Sequence, residues 1–332
     1  MLPSLLGNFI SSTMSLFALL SSPGPAFVPQ RDISDFSGKT VLITGGNTGI
    51  GYQTAKELLL KGASVYLAAR TPSKGIQAID QLEAETTRRA KFLELDLADL
   101  QSVRRAATKF LHQESTLDIL FNNGQVRGVM EPPTHMLTAQ GLDLQFGTNV
   151  VGHFFLTELL IPALNVSRSA PARIINLSSS GHRNAPPGTG IEFDSLNGGE
   201  QRDSWIAKWG NVAPTLLYGQ SKLGNILISN HFAAKYDTLV STALHPGGIR
   251  TELRRYGSGL MHIVKDKLLY PPSMGAITPL WAATTASPSE INGLYLVPWA
   301  QVASAGDADE RTTDVELRNG LIAYLEKQIE GF

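Results

Sequence analysis

Residues Thr40 to Gly51 read Thr-Val-Leu-Ile-Thr-Gly-Gly-Asn-Thr-Gly-Ile-Gly, and this stretch decides the fold. Val41, Leu42 and Ile43 form an uncharged, apolar run, the pattern of a strand buried on both faces of a parallel sheet. A glycine-rich turn follows. From Tyr52 the period becomes helical through Thr54, Ala55, Leu58, Leu59 and Leu60, and Lys61-Gly62 supplies a basic last turn and a glycine stop. In such a strand, turn and helix the glycines have mechanical jobs. Gly45 permits a sharp turn, Gly49 lets a pyrophosphate approach backbone N–H groups at the helix start, and Gly51 allows helix and strand to pack closely. A glycine pattern alone is weak evidence. The strand before it and the helix after it supply the context for dinucleotide binding, with Asn47, Thr48 and Ile50 among the contacts.

Outward from this unit the alternation continues. Gly62-Ala63 opens a second strand, Ser64 to Ala69, ending in Arg70. A free ribose 2′-OH is usually held there by a carboxylate, whereas a 2′-phosphate needs a cation; Arg70, with Lys74 as a second contact, favours NADP(H) over NAD(H). Ser73 to Arg88 reads as a helix and Lys91 to Leu95 as a third strand, which ends in Asp96-Leu97 on the crevice side, where an adenine binds. A helix from Leu100 to His112 leads to a fourth strand, Leu117 to Phe121, and to Asn122-Asn123-Gly124. Parallel neighbours need crossover helices, so this order predicts a single α/β domain: a Rossmann-like, doubly wound parallel sheet with helices on both faces.

The second half carries polar residues at element ends. Gly141 to Leu164 is a long helical pattern containing Asn149. Arg173 to Leu177 is a fifth strand running into Ser178-Ser179-Ser180. Gly181 to Pro214 lacks a strong helix period, reads as loop and bears Trp205 and Trp209. Beyond it, Leu223, Ile226, Leu227 and Phe232 give a helix with one buried face, placing Tyr218 and Lys222 four apart on the same side. Leu239 to Leu244 is a sixth strand ending in His245-Pro246-Gly247-Gly248-Ile249-Arg250-Thr251. Residues 252–272 suit a substrate lid, Gly275 to Ala286 a helix, Leu294 to Val297 a last strand and Asp314 to Glu330 a final helix.

A tyrosine with its ordinary pKa near 10 is a poor acid or base at neutral pH. An ammonium four residues away favours the phenolate, and an oxidised nicotinamide adds to this; lowering the pKa by three units needs about 4 kcal/mol. Tyr218 can then exchange a proton with a substrate oxygen while the cofactor exchanges the hydride. Ser179 would hold that oxygen, and Asn149 would support Lys222 through a bridging water.

These residues resemble the short-chain dehydrogenase/reductase family, over roughly Ser37 to Pro298. The resemblance implies Thr44, Gly45, Gly49, Ile50 and Gly51 as the cofactor turn, Asp96 (with Leu97) at the adenine, and Asn123 as a residue that orders the backbone and meets the cofactor. It implies Asn149, Ser179, Tyr218 and Lys222 as a catalytic tetrad, with Tyr218 and Lys222 also touching the cofactor. Pro246, Gly247, Ile249 and Thr251 would form the nicotinamide-side loop. Arg70 and the run Tyr-Gly-Gln-Ser-Lys-Leu are similar to the retinol-dehydrogenase-like branch, which includes fungal secondary-metabolism reductases. Two features depart from the family pattern: Asn122-Asn123-Gly124-Gln125 stands for Asn-Asn-Ala-Gly, and 39 positions separate Ser179 from Tyr218, which leaves Ser178 and Ser180 open as alternatives.

The 332 residues carry 28 basic and 29 acidic side chains, net −1, with no polycationic footprint for nucleic acid. Absence of cysteine excludes disulfides and a thiol nucleophile, and seven scattered histidines lack metal-ligand spacing, so no metal is expected. Gly219-Gln220-Ser221 begins like a hydrolase elbow, but Leu223 replaces its closing glycine. Residues 1–30 carry no charge, and Leu2, Leu5, Leu6, Phe9, Ile10, Leu16, Phe17 and Leu20 recur at helical spacing. This stretch has no basic start for a secretory signal, and its polar interruptions make it a marginal span. It fits a helix over residues 2–20 lying on a membrane surface or on the protein's own apolar groove, ahead of a linker to residue 36 and the catalytic domain 37–332. The expected protein is a cytoplasmic NADP(H) oxidoreductase, peripheral to an intracellular membrane and compatible with homo-oligomers. Its substrate is a lipophilic ketone, aldehyde or secondary alcohol of polyketide or terpenoid type; the alternative is an inactive NADP-binding scaffold.

Overall fold

Thr40–Thr44 (β1), the strand read first from the sequence, lies inside an eight-stranded sheet. The computed structural model describes residues 26–126, 132–166, 170–250 and 269–332. The other strands are Ser64–Ala69 (β2), Lys91–Glu94 (β3), Ile119–Asn122 (β4), Ala172–Leu177 (β5), Leu239–Leu244 (β6), Tyr295–Val297 (β7) and Gln301–Val302 (β8). Their order is β3-β2-β1-β4-β5-β6-β7-β8, parallel except for the final β7–β8 pair. Along β1, Leu42 packs into one apolar cluster and Val41 and Ile43 into another on the opposite face, and Tyr66 and Leu67 of β2 divide likewise. Both faces are covered, as parallel crossover geometry requires.

The crossover helices are Gly49–Leu60 (α1), Pro72–Thr86 (α2), Leu100–Gln113 (α3), Gly152–Leu164 (α4), Glu200–Trp209 (α5), Ala213–Lys235 (α6) and Ile277–Thr284 (α7), followed by the C-terminal Val315–Ile329 (α8). The strand order reverses between β1 and β4, opening a crevice beyond their C-terminal ends, where ligands of open α/β sheets bind. Just before α4, Gly147–Val151 forms a π-helical turn that carries Asn149. Gly152 packs so closely that a Cβ there would lie 2.4 Å from the Leu97 carbonyl oxygen.

The expectation of loop throughout 181–214 is overturned in its second half, where α5 forms. Its buried residues are Arg202 and Trp205, and Arg202 is anchored by an ion pair to Asp143 at 2.8 Å. A helix held by a buried cation shows no apolar period. The short antiparallel β8 also went unforeseen. Phe27 and Ile33 are buried in the core although they precede residue 37. The apolar stretch 2–20, Thr251 and the lid segment 252–268 lie outside the described residues; among those described, no helix is long and apolar enough to cross a membrane.

Candidate active site

The crevice between β1 and β4 contains a cleft of about 280 Å3. Gly45, Asn47, Thr48, Gly49 and Ile50 line it from the glycine turn, Arg70 from the end of β2, Asp96 and Leu97 from the end of β3, and Asn123 from the end of β4. Gly45 and Gly49 hold φ of +63° and +57°, which side chains with a Cβ adopt at a cost. A Cβ on Gly51 would sit 2.7 Å from the Gly45 carbonyl oxygen, so the turn closes onto α1 only because residue 51 is glycine. Thr48 at the N-cap makes no side-chain capping bond, and the first turn of α1 has no acidic residue. The start of α1 lines the cleft with its leading amides uncapped by Thr48, a cradle suited to a pyrophosphate. The Arg70 side chain is 57% exposed, and its guanidinium approaches the Asp96 carboxylate at 4.0 Å.

Thr44 fixes the floor of this cleft. Its hydroxyl accepts from the Asn123 and Gly124 amides at 2.9 and 2.7 Å and lies 2.9 Å from His153 Nε2. The other imidazole nitrogen, Nδ1, lies 2.9 Å from the Asn149 carbonyl oxygen, which only accepts. Nδ1 therefore carries the proton, and the Thr44 hydroxyl donates to Nε2. Asn123 Nδ2 donates to the Thr44 carbonyl at 2.7 Å. A Cβ on Gly124 would lie 2.7 Å from Leu97 Cδ1 and 3.1 Å from Thr44 Oγ1, so this departure from the family pattern sits in a crowded place where the Leu97 side chain would have to move for a larger residue.

The second group of residues lies at the ends of β5 and in α6. Ser178 is buried and donates to the Lys222 carbonyl at 2.7 Å, and Ser180 is exposed. Ser179 is left between them, accepting from the Gly181 amide at 3.1 Å, and a Cβ on Gly181 would lie 3.3 Å from its Oγ and 2.7 Å from Tyr218 Cε1, so the two side chains are neighbours. Lys222 is fully buried, with Nζ donating to the Leu177 carbonyl at 3.2 Å and lying 5.7 Å from the Tyr218 ring centroid. Asn149 Nδ2 donates to Ser221 Oγ at 3.0 Å, and Ser221 donates to the Tyr218 carbonyl at 2.9 Å, tying the π turn to α6. Asn149 Oδ1 is buried without a partner. All four tetrad residues thus converge. Pro246, Gly247 and Ile249 follow β6, and a Cβ on Gly275 would touch both Ile50 and Ile249, so the turn and this loop meet there.

Electrostatics differ from the sequence expectation in one respect. Burial pushes the Tyr218 hydroxyl above its ordinary value, and the Ser179 hydroxyl bond offsets this in part. Burial also lowers Lys222 to about 7, so the ammonium expected to depress Tyr218 is itself weakened by desolvation. Burial lowers His153 to about 4, consistent with the neutral tautomer its partners require.

Sequence reasoning missed Gln125, Val126, Met136, Leu144 and Thr148, which also line the cleft. It also missed His153 and His182, which contact the main chain of Asn149 and Ser179. The only sequence signal for His153 is its position four residues after Asn149 on one helix face.

Residues 39–190 match the family model for short chain dehydrogenases. A short-chain dehydrogenase/reductase of Armillaria gallica is 43% identical over 98% of this chain and all of its own length. Retinol dehydrogenase 11 of Mus musculus is 38% identical over 78% of this chain and 77% of its own. A crystal structure from Mycobacterium paratuberculosis superposes with a TM-score of 0.67 at 29% identity, covering 91% of this chain and 97% of that one. On these similarities, and with a glycine turn, crevice and convergent Ser179, Tyr218 and Lys222 of the kind described, the chain belongs to the short-chain dehydrogenase/reductase family of oxidoreductases.

Proposed function

We propose that the protein is an NADP(H)-dependent oxidoreductase acting on a lipophilic ketone or aldehyde, or the corresponding alcohol. The observation that carries this is the convergence of Ser179, Tyr218 and Lys222 beyond the same sheet ends that present Arg70 to the cleft. The cofactor fits the residues present: glycines whose Cβ atoms would fill the turn, uncapped helix amides for the pyrophosphate, and a cation in the cleft wall for a 2′-phosphate. Bound there, it supplies or accepts the hydride. Tyr218 gives its hydroxyl proton to the substrate oxygen in reduction, and its raised pKa keeps that proton in place beforehand. Ser179 donates to the same oxygen as negative charge develops on it. Lys222, with a pKa near 7 and one acceptor among the described residues, returns the proton to Tyr218 through a water bonded to the orphan Asn149 Oδ1.

The substrate class rests on relatives named for retinol, an apolar alcohol, and on the Trp-bearing α5 packed ahead of Tyr218. Burying apolar surface contributes about 25 cal/mol per Å2, which favours bulky apolar substrates, with a fungal secondary metabolite of polyketide or terpenoid type as the specific case. The apolar 2–20 stretch would keep the enzyme at the surface of an intracellular membrane that supplies such compounds. Tyr218→Phe tests the assignment: NADPH binding should persist while NADPH oxidation with lipophilic ketones falls by at least about 100-fold. Wild-type protein that binds NADPH and turns over no carbonyl compound would favour the scaffold alternative instead.

A further inference from the structure

We propose that His182 is a positioning residue for Ser179, with its orientation set by the main chain of the C-terminal segment at Asp309. This rests on the role given to Ser179 above. His182 is completely buried. Its Nε2 lies 3.1 Å from the Asp309 amide, which only donates, so Nε2 is unprotonated and the proton sits on Nδ1. That Nδ1 is 2.7 Å from the Ser179 carbonyl oxygen and donates to it. The same carbonyl accepts from the His182 amide at 3.0 Å. With both lone pairs engaged, the Ser179 peptide plane is held, and with it the direction from which Oγ reaches Tyr218.

The far end of this link is itself rigid. The Asp309 carboxylate takes two bonds of 2.7 Å from Arg311, and Arg311 donates to the Pro186 carbonyl at 2.6 Å. Arg183 donates to the Gly306 carbonyl, and Asn230 of α6 to the Thr312 carbonyl at 2.7 Å. The Tyr295 ring meets the imidazole edge-on, with centroids 5.0 Å apart, and blocks its rotation. The segment at 306–312, beyond the 39–190 family match, is thus tied through the imidazole to the Ser179 turn and holds the ring in its tautomer, while the Nδ1 donation holds Ser179. A histidine is required because one planar ring must donate at one end and accept at the other.

Two substitutions separate the ends. His182→Asn places an amide N–H near the Nδ1 position and keeps the donation to Ser179, but is too short for Asp309. His182→Gln reaches Asp309 as an acceptor and gives up Ser179. The expected ranking is opposite in two measurements: His182→Asn melts lower but keeps kcat within about five-fold of wild type, whereas His182→Gln melts closer to wild type but loses kcat by about 50-fold, with KM for NADPH unchanged in both. A kcat that follows the melting temperature, with Gln above Asn, would overturn the proposal and leave His182 as packing. Imidazole 15N resonances of the wild type, read independently of turnover, should show Nδ1 protonated. Nε2 protonation overturns the positioning role even in an active enzyme, whereas an inactive wild type with Nδ1 protonated overturns the oxidoreductase reading.

Discussion

Gly181 offers a steric probe of the reacting group that leaves the side chains of Ser179, Tyr218 and Lys222 themselves unchanged. A Cβ there would lie 2.7 Å from Tyr218 Cε1 and 3.3 Å from Ser179 Oγ. Carbon atoms in contact settle about 3.5–4.0 Å apart, so in Gly181→Ala the ring or the turn must retreat by roughly 1 Å. Gly181 does not occupy the left-handed region, so the methyl acts through packing alone. Overpacking of this kind costs about 1–3 kcal/mol of stability, and a displacement of about 1 Å at a reacting group costs on the order of 100-fold in rate. The expected variant folds, melts a few degrees lower, binds NADPH within about two-fold of wild type and loses kcat by about 100-fold. Steady-state NADPH oxidation with a lipophilic ketone, beside a fluorescence titration of NADPH, measures both. A kcat within about three-fold of wild type would mean that Tyr218 does not have to hold its place against residue 181, and the proton-transfer geometry would be refuted.

Arg70→Ala should weaken NADPH by about ten-fold and leave NADH nearly unchanged, since an exposed guanidinium loses part of its charge-assisted strength to solvent; equal losses in the two titrations would refute the 2′-phosphate contact. Lys222→Met should abolish most turnover while keeping or raising the melting temperature, because it removes a buried charge with a pKa near 7; the wild-type rate profile should bend near that pH, and a bend that survives the substitution would assign it elsewhere. Burial holds His153 near 4 and His245 near 3, below the ordinary 6.5, so both stay neutral when folded. Their contribution is complete above pH 6.5 and is lost as pH falls toward those values, at about 1.4 kcal/mol per pH unit each, hence about 2 kcal/mol each between pH 6.5 and 5. Urea unfolding at the two pH values measures it, and unchanged stability would contradict the neutral buried assignment.

The fold was legible where one physical constraint acts on consecutive residues. Buried parallel strands must be apolar on both faces, so β2 and β6 were delimited residue for residue by Ser64–Ala69 and Leu239–Leu244. Glycines that admit a close approach, such as Gly51 against Gly45, likewise show in the sequence because no other residue fits. What was not legible depends on partners distant in the chain. The period of α5 is hidden because Arg202, buried against Asp143 and the Ser195 carbonyl, replaces an apolar residue. The sequence offered Ser179 with Ser178 and Ser180 open beside it; that Ser178 is committed to the Lys222 carbonyl across 44 positions shows only in the fold. The histidines read as ordinary because nothing in their spacing reveals that His153 meets Thr44 or that His182 meets Asp309.

The π turn at Gly147–Val151 joins the two halves of the site. In a regular helix consecutive side chains diverge by about 100°, so two neighbouring polar residues on one crossover helix do not both face a crevice. Here Thr148 lines the cleft beside the glycine turn and Asn149 is tied to Ser221 beside the tyrosine, and among the described residues both Thr148 Oγ1 and Asn149 Oδ1 are buried without partners. Each orphan costs about 1–3 kcal/mol, and the widened turn gives up regular helix bonding as well. Val150 and Val151 of the same turn anchor it in the apolar core, while Thr148 Oγ1 and Asn149 Oδ1 add no bond to it. Side by side, one on the cofactor cleft and one at the catalytic group, these atoms are placed to be satisfied by what binds. Thr148→Val should therefore raise stability slightly while weakening cofactor binding, and calorimetry of unfolding with and without NADPH separates the two effects. A stabilised variant with undiminished NADPH affinity would show that the Thr148 hydroxyl is a packing defect rather than part of the site.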